Sequence, residues 1–157
     1  MDAYTLLKWV HILSSTVLFG FGAGTAFYFW MAHLSRDAHT IAKVGGMVVM
    51  ADWIFTGSSG IIQPVSGLLL AHEAGYDLGA SWLIVTYGLY LIAFACWAPV
   101  VWLQIRARDL AVIAAREGTP LPREYFRVMR WWFALGWPAF LGLTAVFWLM
   151  VAKPDLW

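Results

Sequence analysis

The sequence predicts an all-α fold: a polytopic membrane protein built as a four-transmembrane-helix bundle with both termini facing outward. Three observations carry this. The chain is 62% apolar and 12% charged, against about 25% charged for a soluble domain; its charges are spaced to leave four long uncharged runs; and its basic residues gather on one side of those runs. Eleven Trp, ten Phe and six Tyr in 157 residues exclude a disordered chain, because so much aromatic surface cannot stay solvated. Lys and Arg number 10 against 9 Asp and Glu, so no basic excess exists to neutralise a phosphate backbone, and nucleic acid is not an expected partner. The single Cys96 permits no internal disulfide and no Cys-rich metal site.

The runs define the elements in order. Between Lys8 and Arg36 lie 27 residues without Asp, Glu, Lys or Arg, and between Lys43 and Glu73 lie 29 with Asp52 alone. Leu78 to Ile105 is an uncharged run of 28 residues and Trp131 to Ala152 one of 22. About 20 apolar residues suffice for a helix to cross the hydrocarbon, so each run is a span, and helices are expected near 4–32, 42–72, 81–107 and 125–152 within one membrane domain covering 1–157. The first run lacks a basic leader and is longer than the roughly 7–15 apolar residues of a signal peptide. Asp109 to Arg116 reads as a further amphipathic turn or two that Gly118 ends, with Thr119-Pro120-Leu121-Pro122 as an extended break.

Orientation follows from the positive charges. Arg36, Lys43, Arg106, Arg108, Arg116, Arg123, Arg127 and Arg130 lie on one side, and only Lys8 and Lys153 on the other. Basic residues accumulate on the cytoplasmic side, which places both termini outside a bacterial inner membrane. The Arg residues after the third span orient the protein and are available to anionic headgroups.

Residues that face neighbours in a bundle recur at steps of three and four. Those steps give Lys8, His11, Ser15, Leu18, Gly22 and Thr25 on the first span, and a wholly polar series on the second: Asp52, Thr56, Ser59, Gln63 and Ser66. The third span offers Tyr87, Tyr90, Phe94, Trp97, Val101 and Gln104, and the fourth Arg127, Arg130, Ala134, Trp137, Leu141, Thr144 and Trp148. Two polar helices are thus expected to face two aromatic ones. Gly20, Gly22, Gly24, Gly57 and Gly60 allow close backbone approach or leave room for a flat ligand. Met47, Met50 and the Phe residues read as packing.

An ionisable residue inside a membrane is a functional candidate. Asp52 has two readings: a proton- or cation-handling carboxylate, or a structural acid held by Arg130, Arg127 or Gln104. Lys8 and His11, one turn apart, also have two. Imidazole is a haem ligand and a cation one turn nearer water suits a propionate; alternatively His11 is a hydrogen-bonded histidine facing the Ser and Gln side chains of the second span. His72 becomes a second axial ligand only if Pro64 or Gly67 kinks that span. His33, about 33 Å from His11 along an ideal helix, cannot share its iron, and His39 is expected to be solvated. Hydrolase, kinase and metalloprotease signatures are absent from the sequence.

Leu7-Lys8-Trp9-Val10-His11-Ile12-Leu13, Phe19-Gly20 and the run 24–30 resemble the first helix of a family of bacterial four-span membrane proteins grouped only as a domain of unknown function. The likeness continues through Asp52-Trp53-Ile54-Phe55-Thr56, Gln63-Pro64-Val65-Ser66-Gly67, Trp97 to Gln104 and Leu149 to Pro154, and so covers essentially the whole chain. More distantly, Lys8-x-x-His11 is similar to the first helix of HemJ-type protoporphyrinogen oxidases and CopD-like copper-resistance proteins. The HemJ resemblance implies haem b on a first-helix histidine, although Tyr28 to His33 carries no arginine where those proteins have one. The expected function is a haem b-associated inner-membrane redox or electron-transfer protein or subunit, with His11 on iron. The alternatives are a scaffold or assembly protein and an Asp52-dependent proton-coupled transporter. Expected partners are the lipid bilayer and a membrane redox partner or a second copy of the chain.

Overall fold

The computed structural model describes residues 2–157, and among these every regular element is helical. Four helices are long and apolar enough to cross a membrane: α1 (Ala3–Ser35), α2 (Ala38–Glu73), α3 (Ser81–Glu117) and α4 (Arg123–Ala152). Their ends are set by local chemistry. Asp2 and Asp37 cap α1 and α2 by accepting the backbone N–H groups of Thr5 and Thr40, each at 2.8 Å, which satisfies donors that a helix start leaves open. Gly118 stops α3 in the left-handed conformation, φ 63°, and prolines 120 and 122 hold the chain extended until α4 restarts.

The expected spans are all present, with one difference in extent. α3 does not end near 107 but runs unbroken to Glu117, so the amphipathic turns belong to the same helix. At 37 residues it is about 55 Å long, more than the hydrocarbon thickness of about 30 Å requires, and its charged turns lie at the basic end of the bundle. Here the bundle is tightest. Phe29 of α1, Ile41 and Val48 of α2, Leu103, Ala107 and Ala111 of α3, and Tyr125, Met129 and Trp132 of α4 form one buried core. Gly45 permits this crossing, because a Cβ there would sit 3.0 Å from the Phe29 ring and 3.1 Å from Arg108 Cβ.

At the other end a smaller cluster of Ala71, Trp82, Leu83 and Leu149 joins α2, α3 and α4. The C-terminal residues fold over it: Lys153 Nζ donates to the Tyr76 hydroxyl at 2.5 Å and the Leu156 N–H to Ser81 Oγ at 2.9 Å. The two termini and the 74–80 connection therefore share one end of the bundle. α3 and α4 pack closely along their length, whereas α1 and α4 meet through large rings, Phe29 on Trp132, Trp30 on Phe133 and Phe19 on Phe140. Trp53, Ile61, Leu91, Trp102 and Trp131 point outward, each more than half exposed. A water-soluble surface does not carry such an apolar girdle, and a bilayer covers it.

α4 turns a different face inward from the one the charge pattern suggested. Arg127, Arg130, Ala134, Trp137, Leu141, Thr144 and Trp148 are exposed, and the buried set is Tyr125, Val128, Met129, Trp132, Gly142 and Leu149. Arg127 and Arg130 stay on the exposed side of the helix, which avoids burying a guanidinium inside the bundle, and Trp137 alone of that series reaches the space between the helices. Met47 and Met50 are likewise exposed. They lie on the lipid side of α2 and do not pack in the core.

Candidate functional site

The polar stripe of α2 faces inward as its spacing requires. Asp52, Thr56, Ser59 and Ser66 are buried and Gln63 half-buried. Within it, Asp52–Gly57 winds as a π-helix, a local widening frequent at functional sites. The stripe supports two separate polar clusters.

The first centres on Asp52, which is 5% exposed. Its Oδ1 accepts the hydroxyls of Thr25 on α1 at 3.2 Å and Thr56 at 3.0 Å, and its Oδ2 accepts Gln104 Nε2 of α3 at 2.5 Å. The Gln104 carbonyl in turn accepts the Trp132 indole N–H of α4 at 3.0 Å. One node thus ties all four helices together. Of the three partners foreseen for Asp52, Gln104 is the one found. Arg127 and Arg130 are exposed, and no ion pair to Asp52 exists among the described residues. The physical reason is the one that sets the α4 face: pairing would drag a guanidinium out of water, while a neutral amide can be buried with both its ends bonded.

The second cluster surrounds His11. Nδ1 lies 3.0 Å from Ser66 Oγ and Nε2 3.2 Å from Gln63 Nε2. Ser66 spends its own hydrogen on the Gln63 backbone carbonyl at 3.2 Å, so Nδ1–H donates to Ser66 and Nε2 accepts from the Gln63 amide. Ser14 Oγ bonds Gln63 Oε1 and completes the set. The sequence pattern chose Ser15, but its hydroxyl turns back to the Ile12 carbonyl at 2.7 Å; Ser14, one position earlier, is the buried one. The ring edge rests against Gly67, where a Cβ would lie 2.9 Å from Cε1.

Between the clusters, Tyr90 of α3 donates its hydroxyl to the Gly60 carbonyl at 2.6 Å. That carbonyl has lost its helical partner, because the residue four positions on is Pro64, which carries no N–H.

The expected haem residues do not converge. Lys8 is exposed, with Nζ 5.6 Å from the centre of the Tyr4 ring. His72 is exposed at the end of α2, five residues beyond the Gly67 that touches His11, and no bend brings it round. Both ring nitrogens of His11 are engaged, so in this arrangement neither is free for a metal. His33 is buried with Nδ1 3.0 Å from the Tyr125 hydroxyl, and His39 is exposed as expected. Among the described residues no three His, Cys, Asp or Glu side chains gather at one point.

What the helices do enclose is a cavity of about 510 Å³, walled by all four of them at the level of the Asp52 node. Its polar edge is Thr25, Asp52, Thr56, Gln104 and Trp132; its apolar walls include Leu18, Phe19, Trp97, Phe133, Trp137 and Phe140. The small residues Gly22, Ala26, Gly57, Gly60 and Gly136 leave the space open, and Cβ atoms added at Gly22 or Gly136 would meet nothing within 4 Å. Gly22 of α1 therefore serves room, not close helix contact. Tyr90 was expected to face inward, but its bond to the Gly60 carbonyl was not foreseen, and Pro64 was the signal that could have revealed it.

The model of the family described as predicted integral membrane protein (DUF2269) matches residues 5–154. The chain belongs to this family. No curated protein and no solved structure matches it. The matched segment of this predicted integral membrane protein covers all four helices, the node, the His11 cluster and the cavity wall, so these features lie within the family domain.

Proposed function

We propose that this integral membrane protein receives a lipophilic small molecule from the bilayer into the space between its four helices. The cavity is the observation that carries this reading. Its volume of about 510 Å³ falls within the roughly 300–1,000 Å³ of small-molecule sites, and it pairs mostly apolar walls with a few convergent polar groups, as such sites do. Phe27, Trp137 and Phe140 line it and are also exposed, which supports entry from the membrane side. The test is photolabelling in lipid nanodiscs with an uncharged aromatic diazirine. Label is expected on segments 18–27, 93–104 and 132–143, and Gly22→Leu and Gly136→Leu, which fill the space, should remove it. Label confined to outward residues such as Trp53 and Leu91, and unchanged in both variants, would refute the reading and favour a ligand-free scaffold held by the same polar node.

A haem b electron-transfer role is the second reading, supported by the Lys8-x-x-His11 pattern and by the imidazole on the α1–α2 seam. It requires the Gln63 amide to leave Nε2. Protein produced with ample haem should then show a Soret band that His11→Ala abolishes while folded protein persists; colourless wild-type protein would refute it. For topology, the basic end supports a cytoplasmic placement with both termini outside a bacterial inner membrane. A cysteine at Thr119 should resist an impermeant thiol reagent in intact cells and one at Tyr76 should react; the reverse pattern would overturn the orientation.

A further inference from the structure

The cavity has one carboxylic acid and no basic side chain. Of the residues that wall it, Asp52 is the sole carboxylic acid, and there is no Lys, Arg or His. Ten of the 25 are aromatic, four of them Trp: Trp30, Trp97, Trp132 and Trp137. An anionic guest, including a phospholipid headgroup or a fatty-acid carboxylate, finds no counter-charge there and meets Asp52. A neutral guest makes no use of the charge on the carboxylate. A cation finds both of the interactions that stabilise positive charge away from water, a carboxylate and the negative faces of aromatic rings, of which Trp is the strongest.

We propose, resting on the cavity reading above, that the guest is a lipophilic organic cation with Asp52 as its counter-ion inside an aromatic cage. The node is built for this. A carboxylate accepts at about four sites; Thr25 and Thr56 occupy two on Oδ1 and Gln104 one on Oδ2, which leaves one position on Oδ2. The three donors hold the carboxylate in place and prevent it from turning to a backbone N–H. No charged group from another helix competes for it: α1 presents Thr25, α3 presents Gln104, and α4 reaches the node only through the Trp132 indole. Tyr90, the other ionisable side chain on the wall, is committed to the Gly60 carbonyl. A cation whose charge is spread over apolar substituents loses little hydration on entering such a site, and this selects lipophilic onium compounds over small, strongly hydrated ions.

The experiment uses a set of probes of nearly one shape and different charge: tetraphenylphosphonium, tetraphenylmethane and tetraphenylborate, offered to the purified full-length protein in nanodiscs, with quenching of Trp fluorescence and equilibrium dialysis as readouts. Tetraphenylphosphonium should bind, tetraphenylborate should not, and Asp52→Asn should weaken the cation at least tenfold while leaving the neutral probe within about twofold. Trp137→Leu, which removes one cage face without touching the node, should weaken the cation several-fold and also serves if Asp52→Asn does not fold. Gly136→Leu should block cation and neutral probe alike. Equal cation binding in wild type, Asp52→Asn and Trp137→Leu would overturn the cation inference and leave the cavity reading standing. Binding of no probe, with no difference at Gly136→Leu, would overturn both.

Discussion

Replacing Gln104 by Leu tests whether the node holds the bundle together. Gln104 is 2% exposed and makes two hydrogen bonds between helices, to Asp52 at 2.5 Å and from Trp132 at 3.0 Å. Leu is close to Gln in volume, so the change removes the bonds and leaves little cavity. Hydrogen bonds between membrane helices contribute about 0.6 kcal/mol on average and at most about 1.7 kcal/mol, so losing two should cost about 1–3 kcal/mol. Part of that is the Trp132 N–H left without an acceptor, and Trp132→Phe removes this donor. The two substitutions should therefore be coupled by about 1 kcal/mol, the double mutant being more stable than the sum of the singles predicts. Reversible unfolding in mixed micelles of SDS and a mild detergent, followed by far-UV circular dichroism, measures all four corners of the cycle. Arg130→Gln in the same assay should change stability by less than about 0.5 kcal/mol, as an exposed substitution does. Wild-type stability for Gln104→Leu, strict additivity with Trp132→Phe, or a large effect at Arg130 would each refute the assignment of the node.

Tyr90→Phe should destabilise by about 0.6–1.7 kcal/mol because it strands the Gly60 carbonyl, and in a Pro64→Ala background, where the helical N–H returns, the same change should be nearly silent in the same unfolding assay. Gly67→Ala should cost about 1–3 kcal/mol as an overpacked contact, since the new Cβ meets a His11 ring fixed at both nitrogens, whereas Gly20→Ala, with nothing within 4 Å, should be neutral or slightly stabilising. Asp37 caps α2 with its carboxyl held below the usual range by the Thr40 hydroxyl and backbone N–H. A lowered folded value means the cap contributes above the unfolded carboxylate value of about 3.9 and is lost as pH falls through the folded value. Hydrogen exchange at residues 38–41, corrected for its intrinsic pH dependence, should lose protection over that acid range in wild type and have no such step in Asp37→Ala.

The number and order of the helices were legible in the sequence, because the intervals between charges alone decide what can lie in hydrocarbon; the full length of α3, which carries its charged turns on to Glu117, was not. Gly118 with the two prolines marked the end of the amphipathic turns for local backbone reasons, and the structure joins those turns to α3. The inward stripe of α2 was legible as well: polar residues at steps of three and four within an apolar span have one favourable direction to point. The face of α4 was not. In lipid the outer and inner surfaces of a helix are equally apolar, so Trp131 and Trp132 are equivalent as sequence, yet one stands in the girdle and the other closes the polar node. Ser14 and Ser15 pose the same ambiguity at smaller scale, resolved by where Gln63 reaches. The choice of Gln104 over Arg130 as the partner of Asp52, the engagement of both nitrogens of His11, and the room left by Gly22 and Gly136 all depend on distances between helices. No residue encodes those distances individually; they arise when side-chain shapes on four helices pack together, and only the tertiary structure decides them.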